Sequence, residues 1–203
     1  MKILQLLIIF LLINFSVNSQ EKLGGNITIK SVFNESEIQD LETILVFFDN
    51  KICETENINK SNISECYRSF FERMAEFEKT GIIEFRVPFE EQRNIYKIIN
   101  QSTFDEIWIF GKSWKPKTNQ TFKSISYNLS GKYVEYLEEL GKENKIIKNY
   151  IDTLLAAGDI SPIMFANVLM GYKNYDITDI RVRLMIAIHY MTLNDQNERN
   201  EKY

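Results

Sequence analysis

The chain has 203 residues, with 24 Lys and Arg against 28 Asp and Glu, a formal net charge of −4 and a single histidine. Lys and Arg are scattered rather than clustered, which argues against nucleic acid as a partner and against charge-driven binding to anionic membranes. One histidine excludes every site that needs two imidazole ligands, including the His-Glu-x-x-His zinc helix.

The N-terminus is the most informative segment. Met1-Lys2, the apolar run Ile3–Phe15 and Ser16-Val17-Asn18-Ser19 have the charged start, apolar stretch and small-residue end of a cleavable signal peptide. Val17 and Ser19 stand at −3 and −1 of a cut before Gln20. About 13 apolar residues rising 1.5 Å each fall short of roughly 30 Å of hydrocarbon, so a membrane anchor is the weaker reading. Removing residues 1–19 leaves 184 residues, enough for one domain over 20–193 with a polar C-terminal tail, 194–203. The later run Leu184–Ile188 is too short to span a bilayer. The expectation is a soluble exported protein, periplasmic or secreted, with no membrane anchor after cleavage.

Cys53 and Cys66 are the two cysteines. In an oxidising compartment they predict one disulfide, which would contribute about 3 kcal/mol for a loop of this size. Their spacing is too long for a Cys-x-x-Cys redox site, and with one histidine they do not complete a metal site.

In chain order, Asn26–Phe33 alternates Ile27 and Ile29 with polar neighbours and suggests a short strand. Asn34 or Ser36 then caps a helix to about Lys51, with Ile38, Leu41, Ile44, Leu45 and Phe48 at helical spacing. Glu54–Ser64 reads as a polar loop, and a helix over Ser64–Lys79 follows, ended by Gly81. Gly81–Val87 alternates as a strand, and Pro88 opens another helix with Glu90 and Glu91 at its positive end. Ser102–Phe110 is open between helix and strand. Lys112–Gln120 reads as a loop, Phe122–Leu129 as a strand and Asn128–Gly131 as a turn.

Beyond Lys132 the pattern is helical. One stripe runs from Tyr133 to Leu140 and stops at Gly141, and another runs from Ile146 to Leu155 before Gly158. Ser161-Pro162 suggests a capped helix start, and Asp176, Thr178 or Asp179 caps a last helix to about Leu193. The apolar centre of that helix, Leu184–Met191, belongs in the middle of a bundle. These elements predict a mainly α, single-domain helical bundle with a few short β-strands, α+β being the alternative.

Candidate chemistry is sparse. There is no Gly-x-Ser-x-Gly elbow, no phosphate loop and no cofactor motif, so no cofactor and no metal are expected. His189, between Ile188 and Tyr190, reads as a packed side chain bonded to a carbonyl or carboxylate. Glu106, between Phe104 and Trp108, is the one acid in aromatic company and the weak candidate for catalysis in a small glycan or peptidoglycan hydrolase using a carboxylate pair. Both tryptophans fall in Trp108–Trp114, close to Lys112 and Lys115. Trp108, Lys112, Trp114 and Lys115 are the candidate binding residues, because tryptophan anchors favour protein interfaces and also stack on sugars.

Asn-x-Ser/Thr triplets occur at Asn26, Asn34, Asn59, Asn62, Asn100, Asn119 and Asn128. They would be acceptors in a eukaryotic secretory pathway. A composition rich in Asn, Ile, Lys and Ser raises the chance count, however, and favours a bacterial envelope origin. The leading functional expectation is an exported protein that binds another protein, such as an inhibitor or immunity-type partner of an envelope-acting enzyme. In that reading the acidic chain is steered to a basic target. The alternatives are the hydrolase and a sugar-binding module, so a glycan is the other candidate partner.

Overall fold

A computed structural model describes residues 22–76, 87–116, 119–160, 164, 168 and 171–203. The signal-like leader, all but Val87 of the strand expected over Gly81–Val87, the end of the preceding helix at Gly81 and the Ser161-Pro162 cap lie outside the described residues. Within them the fold is mainly helical, with eight α-helices, one two-stranded antiparallel sheet and one disulfide.

A turn of 3-10 helix at Leu23–Gly25 leads into α1, Ile27–Val32, where a strand was expected. The reason is visible in burial. Ile29 and Val32, three apart, go inside, while Ile27 is 84 % exposed. A strand would have buried Ile27 and Ile29 together. Asn26 caps α1 by accepting from the Thr28 and Ile29 amides.

Helix α2, Glu35–Glu56, begins with a capping box: Asn34 accepts from the Glu37 amide and Glu37 accepts from the Asn34 amide. It runs five residues past the expected Lys51. It stops where Asn57 takes left-handed backbone (φ 53°) and its amide donates to the Cys53 and Glu54 carbonyls. Helix α3, Ile63–Ala75, buries Cys66, Tyr67, Phe70, Phe71 and Met74. The Cys53–Cys66 bond therefore ties the last turn of α2 to the first turn of α3, as the spacing predicts. Both cysteines are fully buried. The Cys53→Ala/Cys66→Ala variant should lose about 3 kcal/mol of urea stability while keeping its helical signal. An unchanged midpoint would show that the bridge does not constrain the unfolded chain.

Helix α4, Phe89–Ile98, and helix α5, Gln101–Ile107, precede strands β1, Trp108–Lys115, and β2, Gln120–Tyr127. The open segment Ser102–Phe110 is thus both helix and strand, with the switch at Trp108. The expected loop over Lys112–Gln120 is corrected too. Lys112 pairs with Lys123, Ser113 with Phe122, Trp114 with Thr121 and Lys115 with Gln120, so β1 continues to the tip. A short polar run around Pro116 does not advertise strand pairing, because β-propensity depends on cross-strand context.

Helices α6, Lys132–Glu143, and α7, Lys145–Ala157, break at Asn144 rather than at Gly141. Gly141 is buried inside α6, where an added Cβ would stand 3.1 Å from the Lys148 Cα. Its role is a close approach between helices, not punctuation. Gly158 ends α7 with φ 78°.

Asp179 caps α8, Ile180–Glu198, by accepting from the Arg181 amide. Every residue of Leu184–Met191 is buried, and α8 packs against α2, α4 and β2 at the centre of the core. The last helix runs past Leu193, and the tail is not frayed as its polar composition suggests. The Lys123 amide donates to the Glu201 carbonyl, and the Tyr203 amide donates to the Thr121 carbonyl. Residues 201–203 thereby run alongside β2.

Candidate functional site

The hairpin β1–β2 carries all four candidate binding residues, three of them with described side chains, and α5 leads into it. The Trp108 amide closes α5 on the Phe104 carbonyl, and the Asn128 amide donates to the Ile107 carbonyl, which pins the base of the hairpin. Trp108 itself is fully buried. Its indole N–H donates to Thr192 Oγ1 on α8 at 2.8 Å, and its ring packs on Tyr96 and Phe104. Trp108 is therefore corrected from binding residue to core anchor, because an indole satisfied inside the core offers nothing to a ligand.

Trp114 is the opposite case. It lies on the same face of β1, six residues further out, and is 60 % exposed, with its indole N–H donating to Asn119 Oδ1 at 3.3 Å. Lys112 is also exposed, its ammonium 4.0 Å from the Tyr203 ring centre. The Lys115 side chain lies outside the described residues, although its backbone pairs with Gln120 at the tip.

Residues with no functional signal in the sequence join this surface. Phe110, 41 % exposed, shares the face of Lys112 and Trp114, while Ile109, 48 % exposed, lies on the opposite face of β1. The Lys123 ammonium stands 5.1 Å and the Arg199 guanidinium 4.6 Å from the Phe110 ring centre. Arg199 is held by the Asp195 carboxylate at 2.6 and 2.7 Å and by Glu201 at 2.5 Å. A hollow of about 380 Å³ at this flank is lined by Lys112, Lys123, Ser124, Asp159, Gln196 and Arg199, among others. From Trp108 to Tyr127 the sequence holds four lysines and no Asp or Glu. An acidic protein thus carries a basic, aromatic hairpin.

Glu106 has a different employment. It is half-buried, and its Oε2 accepts from the Lys132 amide at 2.8 Å, at the N-terminus of α6. A carboxylate there favours the positive end of the helix. Gly131 must lack a side chain for this join, since a Cβ would collide with the Glu106 carbonyl. With Trp108 inside the core and Glu106 spent on a helix end, the two do not flank a sugar cleft.

His189 is fully buried and its Nδ1 bonds the Tyr150 hydroxyl at 3.0 Å, rather than a carbonyl or carboxylate. Among the described residues its Nε2 has no partner, and burial pushes the His189 pKa down to about 3. The imidazole is neutral across the physiological range. Among the described residues no three His, Cys, Asp or Glu side chains converge as metal ligands. No helix among them is long and apolar enough to cross a membrane. Comparison with protein families, with curated proteins and with solved structures gave no match to this chain.

Proposed function

We propose that this is an exported protein, periplasmic or secreted, that works by binding another protein through the β1–β2 hairpin. The observation that carries this reading is Trp114: a large aromatic, 60 % exposed, held on a paired strand among lysines with no acid on either strand. Rigid exposed tryptophans are typical energetic centres of interfaces, and surrounding cations set the approach. Export is supported by the leader-like residues 1–19 and by the buried disulfide.

The local charge reverses the steering that net charge alone suggests. A formal −4 over the chain favours a basic target, but the hairpin favours an acidic one. The partner is therefore a protein with an apolar slot rimmed by Asp and Glu, and an inhibitor of an exported enzyme is one concrete form.

The test is affinity capture with the Gln20–Tyr203 protein, followed by reciprocal capture and titration of the enriched partner. Trp114→Ala should weaken binding at least 10-fold, about 1.4 kcal/mol or more, with no change in thermal midpoint. Lys112→Glu should slow association and flatten its salt dependence. A partner held equally well by Trp114→Ala would overturn the assignment of the hairpin.

A further inference from the structure

We propose that the chain is N-glycosylated, with Asn26, Asn34, Asn59 and Asn62 as the acceptors. The inference rests on the export reading above, and replaces the bacterial origin favoured by composition with a secretory route that modifies Asn-x-Ser/Thr.

Two observations carry it independently. The first is number. Residues 20–203 hold 17 asparagines, and Ser plus Thr make up about a ninth of the chain, so random placement would give about two Asn-x-Ser/Thr triplets where seven stand. An Asn-rich composition does not account for that excess.

The second is placement. All seven triplet asparagines lie outside helix interiors. Asn26, Asn34, Asn62 and Asn100 stand immediately before helices, Asn59 in the α2–α3 loop, Asn119 in the hairpin turn and Asn128 just after β2. Five other asparagines, Asn50, Asn94, Asn149, Asn194 and Asn197, sit within α2, α4, α7 and α8, and none belongs to a triplet. Helix capping explains an asparagine before a helix, but not the hydroxyl two residues later. Asn144 caps α7 equally well with Ile146 in that place.

The carboxamides then sort themselves. Asn26, Asn34 and Asn59 accept only from amides of their own turn, through Oδ1, and Asn62 makes no side-chain cap bond. In these four Nδ2, the atom that carries the sugar, makes no bond among the described residues. Asn100 spends Nδ2 on Asp40 Oδ2 at 2.8 Å and Ser36 Oγ at 3.2 Å, and Asn128 spends it on the Asp105 carbonyl. Asn119 sits against the Trp114 indole. Glycans at Asn100 and Asn128 would displace contacts to other parts of the fold, and one at Asn119 would cover the proposed binding tip.

The experiment is mass spectrometry of the full protein isolated from its own cells and medium, before and after enzymatic release of N-glycans. The expected result is an Asn-to-Asp conversion on release at positions 26, 34, 59 and 62, on a chain that starts at Gln20. Ser61→Ala and Ser64→Ala, which keep both asparagines, should each remove one modification. A chain cut before Gln20 with all four asparagines unmodified overturns the glycosylation and leaves export standing. An uncut, unmodified chain retained inside the cell overturns both.

Discussion

Replacing Asp49 by Ala should cost about 3–5 kcal/mol of folding stability, the loss expected when one partner of a buried ion pair is removed. Asp49 lies on α2 with its Oδ2 accepting from Arg183 Nη1 of α8 at 2.9 Å and its Oδ1 accepting from the Tyr67 hydroxyl of α3 at 2.7 Å. The carboxylate therefore joins three helices inside the core. Burial dominates its titration and raises the carboxyl pKa, with Arg183 and Tyr67 pulling it back only in part. Arg183 is 3 % exposed and Tyr67 fully buried, so neither recovers water when Asp49 is cut back. Arg183 Nε already lacks a partner among the described residues, which sharpens the cost. The control is Asp49→Ala combined with Arg183→Met, which removes the stranded charge along with its partner. In urea unfolding the double variant should lose clearly less than Asp49→Ala alone. A double variant as unstable as the sum of the two singles would show that the pair is not coupled.

What could be read from the residues and what could not divides along a physical line. Signals local in sequence were legible. The cap at Asn34 or Ser36, the apolar run Leu184–Met191 and the Cys53/Cys66 spacing each point to their own structure, and the fold takes Asn34 as the cap, buries the run and forms the bridge. Signals set by distant partners were not. The alternation at Ile27 and Ile29 fits a strand until the core takes Val32 instead. The polar tail looks frayed until β2 offers backbone partners to Glu201 and Tyr203, and until Asp195 and Phe110 offer Arg199 a place. The candidate site shows the same division. Trp108 and Trp114 are six residues apart on one face of a strand, so no pattern in the sequence separates them. At about 3.3 Å per residue, Trp114 lies roughly 20 Å further along the strand, near the hairpin tip. Which tryptophan is core and which is surface was decided by the length of the hairpin, not by its composition.

Acidification should destabilise the protein through His189 alone by up to about 5 kcal/mol between pH 6.5 and about pH 3. The sign follows from the imidazole's surroundings. Tyr150 of α7 bonds Nδ1, Tyr190 packs on the ring from the same helix, and among the described residues no carboxylate bonds the ring. Burial therefore lowers the folded pKa below that of the unfolded chain, and the unfolded state takes the proton first as pH falls. Stability is fully present above the unfolded pKa and drains away at about 1.4 kcal/mol per pH unit until the folded pKa is reached. Asp49 and Asp195 act in the opposite sense, since burial raises both carboxyls and their protonation favours the fold. The surrounding tyrosines add nothing in this range, because burial moves their hydroxyls upward. His189→Gln separates the terms: it keeps a polar group for Tyr150 and does not titrate, while both carboxylates remain. The stability of the wild type minus that of His189→Gln should fall steadily from pH 6.5 downward. A difference that is flat across the window would mean that the imidazole takes up its proton in the folded protein as readily as in the unfolded chain. Tyr150 and His189 would then have to open to water together, through the roughly 250 Å³ hollow that Tyr150 lines with Ile146 and Tyr175.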